Sequence, residues 1–173
     1  MPFPNAGDVN TATKSGVKDF VFAKLDALQN ANLTTSDHVK FDTVLASRGN
    51  SVVLDTTTTY SNSNGAASIG RFTLKAGLTY KLYAQLPYLL GSGATGLVDL
   101  QWNDVTGTPV ALPGTVQSLL VATTATHDVG GGAAFAVYTP ATDALVELRI
   151  LTATALTQLG TAAREAFAVV ETI

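Results

Sequence analysis

Gly91, Gly93 and Gly96 lie in the segment YLLGSGATGLVDLQW with the spacing G-x-G-x-x-G. In a dinucleotide-binding turn, glycines so placed let the backbone approach a pyrophosphate. That chemistry also needs a strand before the glycines, a helix after them aimed at the phosphates, and an acidic residue about 20 positions on. Here the residues after Gly96 alternate apolar and polar as a strand does, and no Asp or Glu stands between Asp104 and Asp128. The glycines are read as a hairpin loop, and no cofactor is expected.

The remaining reactive side chains are few. The two histidines, His38 and His127, have no second histidine near them in sequence, and a zinc site needs three or four ligands, so no metal site is expected. There is no cysteine and no G-x-S-x-G elbow to activate a serine. Sugar cleavage would need two carboxylates about 5 to 9 Å apart. The candidates are Glu147, Glu165 and Glu171, with Asp99 and Asp104 on or near one strand, and they do not cluster. Glu147 shares a strand face with Arg149, which suggests a solvent-exposed ion pair rather than a catalytic acid. The chain is therefore expected not to be an enzyme, with no catalytic residue. Tyr83, Tyr88, Trp102 and Tyr138 could offer aromatic faces to a sugar or a protein. Trp102 alternates with Val98 and Leu100 and is assigned to the core.

Two patterns organise the chain. Up to about Ser47 the spacing predicts helices: one over 16–30, with Phe20, Phe22, Leu25 and Leu28 near one side, and a second within LTTSDHVKFDTVLAS, capped by Thr35 or Ser36. From about Asn50 the period becomes 2. Strands are predicted at SVVLD, IGRFTL, TYKLYAQL, LVDLQWN, TVQSLLVA, AAFAVY, ALVELRIL and EAFAVVETI, separated by turn signals such as SNSNG, KAG and DVGGG. About eight strands with short connections imply a mainly β, antiparallel jelly-roll sandwich. The expected organisation is a helical N-terminal anchoring arm at 1–48 and a jelly roll at 49–173.

Composition narrows the function. Charged residues make up 13% of the 173, against about 25% in an ordinary soluble domain. The surface must then be covered by Thr, Ser, Asn, Gln, Gly and Ala, which suits a chain packed against copies of itself or a larger assembly. The ten lysines and arginines are scattered and the net charge is −3, so neither nucleic acid nor an anionic membrane is an expected partner. The N-terminus MPFPNAGDVN lacks the pattern of a signal peptide. From Val105 through Thr142 the only charged residue is Asp128, so part of this stretch is expected at a subunit interface.

The segment GRFTLKAGLTYKL, through Gly70, Phe72, Gly77, Tyr80 and Leu82, resembles an element of the trimeric jelly rolls of the complement-globular-head and tumour-necrosis-factor type. Residues 33–82 are also similar to structural proteins of tailed bacteriophages. The resemblance implies a homotrimer made in the host bacterial cytoplasm and located on the virion, with no cofactor. On the capsid surface it would be a decoration or cement protein whose arm grips the major capsid protein through Phe20, Phe22, Leu25 and Leu28. The alternative is a tail-fibre knob that recognises a bacterial surface glycan or protein, with Tyr88 as a receptor contact.

Overall fold

The computed structural model describes residues 17–25, 29–30, 34–61, 67–68, 70–86, 88–91, 96–121, 127–128, 133–153, 156–159 and 166–173. Every regular element among them is a strand. The first sheet has six strands in the order Gly114–Thr115, Ala134–Tyr138, Tyr80–Gln85, Phe167–Thr172, Phe20–Lys24 and Thr43–Arg48. The second runs Val110–Ala111, Gly96–Asp104, Ala144–Ala153, Arg71–Leu74 and Val52–Asp55, and Gln117–Val121 also pairs with Gly96–Asp104. A four-stranded sheet adds His127–Asp128, Tyr88–Gly91, Leu156–Leu159 and Gln29–Asn30. All the pairings are antiparallel.

Seven of the eight strands read from the sequence are present, because a period-2 pattern has one way to bury its apolar side. The eighth, TVQSLLVA, is divided between the sheets, Gly114–Thr115 pairing with Ala134–Tyr138 and Gln117–Val121 with Gly96–Asp104. Tyr80, Leu82 and Ala84 of one sheet and Val98, Leu100 and Trp102 of the other all point into the space between the sheets, fully buried. There Trp102 meets Phe72 edge-on at 5.8 Å between ring centres, and Phe72 meets Phe41 at 6.0 Å. The Trp102 indole N–H donates to the Ala134 carbonyl at 3.2 Å, so the one polar atom of that side chain ties the two sheets together.

Two expectations fail. The predicted helices over 16–30 and within 33–47 are absent from the described residues: Phe20–Lys24 is a strand held between Phe167–Thr172 and Thr43–Arg48. The run FVFA is apolar at four successive positions, so it fits a helical stripe and a strand equally. Pairing on both sides decides for the strand, since it satisfies the backbone polar groups and buries Val21, Ala23 and Leu25. Residues 36–39 run alongside Ala144–Ala153, with Ser36 N–H donating to Ile150 O at 2.7 Å and Val39 N–H to Leu148 O at 2.9 Å. The expected boundary at 48/49 is also crossed. Asp19 accepts hydrogen bonds from the backbone N–H of Asn50 at 3.2 Å and Ser51 at 3.0 Å, and its carbonyl accepts from Thr172 N–H at 2.9 Å. From Phe20 onward the described part of the supposed arm belongs to the sandwich; residues 1–16 lie outside the described residues.

The glycine-rich stretch is not a hairpin either. Tyr88–Gly91 belongs to the four-stranded sheet and Gly96–Asp104 to the second sheet, so the stretch links two sheets. Gly93 lies outside the described residues. A strand follows Gly96, as expected, rather than the helix a pyrophosphate site requires.

Gly70 is where the fold most needs a glycine: φ is 101°, and a Cβ there would collide with the backbone of Phe41. Gly70→Ala should cost about 3 kcal/mol or more in urea unfolding. Gly107→Ala, at a site with open space and no positive φ, should stay within about 0.5 kcal/mol of the parent.

Candidate functional site

The two sheets turn very different outer faces away from the core. On the first sheet, cross-strand register aligns Phe135, Tyr83, Val169 and Phe22 in one row over four adjacent strands. All four are half-buried. Phe167 joins the row, its ring edge-on to Phe22 at 6.0 Å and tilted against Tyr83 at 6.0 Å. Below it, Lys81 and Glu171 pair at 3.3 Å and, with Tyr83 and Val169, line a shallow recess of about 230 Å³. Val137, next to Lys81 in the register, is 40% exposed. A sheet face normally carries polar residues where it meets water. This one offers a continuous aromatic and aliphatic band.

The outer face of the second sheet carries charge and is covered. Glu147, 1% exposed, receives the Arg71 Nε–H at 2.8 Å, with Arg149 Nη1 at 3.7 Å and His38 Nδ1 at 3.7 Å. Arg71 stacks on the Tyr60 ring, 3.8 Å from its centre. The Tyr60 hydroxyl donates to Asp55 at 3.0 Å. Hydrogen bonds from Thr58, then Thr57 and Tyr60, hold the Asp55 carboxyl far below its ordinary range. Burial raises the Glu147 pKa, and the charges of Arg71 and Arg149 oppose that rise. His38 is pushed down to about 4, first by burial and then by the charge of Arg71, so at neutral pH it is an uncharged neighbour of Glu147 rather than an ion-pair partner.

Comparisons with known proteins bear on what such a pair of faces belongs to. No family model and no curated protein matches the chain. Solved structures do. Murine APRIL at pH 8.0 superposes with a TM-score of 0.54 at 10% identity, over 89% of this chain and 98% of that one. The same protein at pH 5.0 gives 0.53 at 11%, over 89% and 98%. The globular domain of zebrafish complement 1qA protein gives 0.48 at 15%, over 90% and 95%. The fold is a jelly roll of the tumour-necrosis-factor type.

Within this jelly roll the residues singled out in the sequence scatter. Phe20 and Phe22 point outward from the first sheet, whereas Leu25 is 2% exposed in the core and cannot reach a partner; Leu28 lies outside the described residues. Tyr88 opens a strand paired with His127–Asp128, and its side chain is not among those described. Glu147 and Arg149 do share a face, but Glu147 is buried rather than solvent-exposed, because residues 34–39 and Tyr60 close over it. Glu171 lies on the outer face of the opposite sheet, so the two do not form a carboxylate pair; Glu165 is outside the described residues. Tyr138 turns inward to Asp104, hydroxyl to carboxylate 2.5 Å. In the sequence Tyr83 stands out only as an aromatic that could offer a face to a partner, and Val169 does not stand out at all; only the register shows that they adjoin Phe22 and Phe135.

The buried histidine gives a pH signature. Its folded pKa of about 4 lies below the ordinary 6.5, so the unfolded chain takes up the proton first as pH falls. The stability from His38 is complete above about pH 6.5 and is lost as pH drops to about 4, roughly 3 kcal/mol in all. Glu147 works in the opposite sense, its raised pKa favouring the folded state at lower pH. Thermal melts across that window should show the midpoint of the parent falling with pH more steeply than that of His38→Gln. Equal slopes would remove His38 as the cause.

Proposed function

We propose that this chain is a non-catalytic structural protein of a virion, which assembles as a homotrimer and decorates the capsid by bridging neighbouring copies of the major capsid protein. The carrying observation is the outer row of Phe135, Tyr83, Val169 and Phe22 on the first sheet. An apolar band four strands wide is costly to leave in water, and burying it against other copies removes that cost. The tumour-necrosis-factor-type fold supports three copies as the number. The low charge of the chain supports life within a larger assembly, and the likeness of residues 33–82 to bacteriophage structural proteins supports the virion as its place.

The anchoring role first given to Phe20, Phe22, Leu25 and Leu28 has to move. Leu25 belongs to the core, and Phe22 belongs to the face assigned here to self-association. Residues 1–16, ahead of the first strand, take over the grip on the major capsid protein. The head location competes with a tail-fibre knob that recognises a bacterial surface glycan, and the virion itself discriminates between them.

Light scattering should give a mass about three times the 17.9 kDa chain, and Val169→Lys should yield a folded species of lower mass. An unchanged trimer in that variant would sink the assignment of the face. A chain lacking residues 1–16 should remain a folded trimer and lose binding to undecorated capsids. Electron microscopy of virions should place the trimers over the head; density confined to the tail tip would replace the decoration reading with the receptor-binding one.

A further inference from the structure

We propose that the second sheet carries a carbohydrate site for a sugar bearing a carboxylate, a hexuronate, with Arg149 binding the carboxylate. The site is a recess of about 270 Å³ between the 34–37 turn and the outer face of that sheet, where Thr35, Ser36, Asn103 and Arg149 supply polar groups and Pro109 and Leu151 apolar ones. The inference concerns a different face from the one assigned to self-association, and it does not depend on where in a virion the protein sits.

Arg149 carries the argument. Its side chain is only 20% exposed, yet its nearest ionic partner among the described residues, Glu147 Oε1, stands 3.7 Å from Nη1, beyond hydrogen-bond reach. The other oxygen of Glu147 is engaged by Arg71 Nε at 2.8 Å. A guanidinium has five N–H donors in a fixed fork that matches a carboxylate edge to edge, and among the described residues that of Arg149 makes no hydrogen bond, only the long contact to Glu147. The open side of Arg149 is the recess.

A second, independent feature lies at the rim. Ser36 is the one non-glycine residue with positive φ among those described, at 81°, and the strand beside it holds it there through the bond from its N–H to Ile150 O. Such strained positions cluster at ligand sites. The turn presents the exposed hydroxyls of Thr35 and Ser36 beside the guanidinium. Across from them Asn103, 5% exposed, donates its amide to Gln101 O at 3.0 Å, which leaves its carbonyl oxygen to accept from a hydroxyl. Hydroxyl and amide groups around one cation, with small apolar surfaces between them, complement the alternating O–H and C–H faces of a pyranose ring. The volume is just under the usual ligand-pocket range, which starts at about 300 Å³, and is of the size of a single sugar ring.

The test is an NMR titration of the intact, isotope-labelled protein with sodium glucuronate, glucose and acetate. Glucuronate should shift the amides of residues 35, 36, 103 and 149 saturably. Glucose, which lacks the carboxylate, and acetate, which lacks the ring, should each bind about tenfold or more weakly, as expected for loss of a charged hydrogen-bonded pair or of the ring contacts. Arg149→Gln should abolish the preference for glucuronate over glucose. Ser36→Gly relieves the positive φ, so it should fold at least as well as the parent while binding glucuronate more weakly. The proposal is overturned by absent or unsaturable shifts, by glucose binding as tightly as glucuronate, or by acetate matching glucuronate, which would leave a bare anion hole. It is equally overturned by an Arg149→Gln protein with a native spectrum and parental affinity. Should that variant not fold, the ligand comparison on the parent and the Ser36→Gly titration still decide.

Discussion

The dry layer between the two sheets, where Trp102 packs on Phe72 and Phe72 on Phe41, is the constraint from which the rest of the molecule follows. A strand can give only one side to such a layer, so each residue committed inward fixes its neighbours outward. Tyr80, Leu82 and Ala84 go in, and Lys81, Tyr83 and Gln85 must go out. Ala144, Val146, Leu148 and Ile150 go in, and Glu147 and Arg149 must go out. The buried bond from the Trp102 indole to Ala134 locks one sheet to the other, and the Tyr80 hydroxyl, within reach of Ser51 O at 2.9 Å and Lys75 O at 3.0 Å, fastens the turns at one end.

The two outer faces then meet the same problem, surface that water alone does not satisfy, in different ways. The second sheet covers its charged face with its own chain. The run from Thr34 to Phe41 lies along Ala144–Ala153, Gly70 passes so close to Phe41 that no side chain fits, and Tyr60 covers Arg71. A carboxylate buried this way is tolerable because two guanidinium groups and a neutral histidine surround it. The first sheet has no such covering of its aromatic row among the described residues. Intramolecular cover on one side and an uncovered apolar row on the other give the described part of the chain a clear polarity.

That polarity suits the assembly proposed above. Association through the first sheet, as proposed, would leave the second sheet, with its recess beside Arg149, facing away from the subunit contact. The two proposed roles, self-association and ligand capture, would then not compete for surface. The scarcity of charge elsewhere fits the same division, since long-range repulsion between copies stays weak.

Sequence alone determined the sandwich. Strands such as Tyr80–Gln85 and Gly96–Asp104 alternate so regularly that no other element buries their apolar side, and Trp102 was assigned to the core from that alternation alone. It also ruled out the dinucleotide reading of Gly91, Gly93 and Gly96, because a strand pattern follows them. Only the tertiary structure decided the rest. FVFA is apolar at every position and carries no period, so its place as a central strand depends on Phe167–Thr172 and Thr43–Arg48, partners distant in sequence. The aromatic row joins residues 22, 83, 135 and 169, and register between strands is not written in any one of them. Glu147 looks like a surface acid beside Arg149 until residues 34–39 fold over it, since burial is a property of what lies above a strand and not of the strand itself.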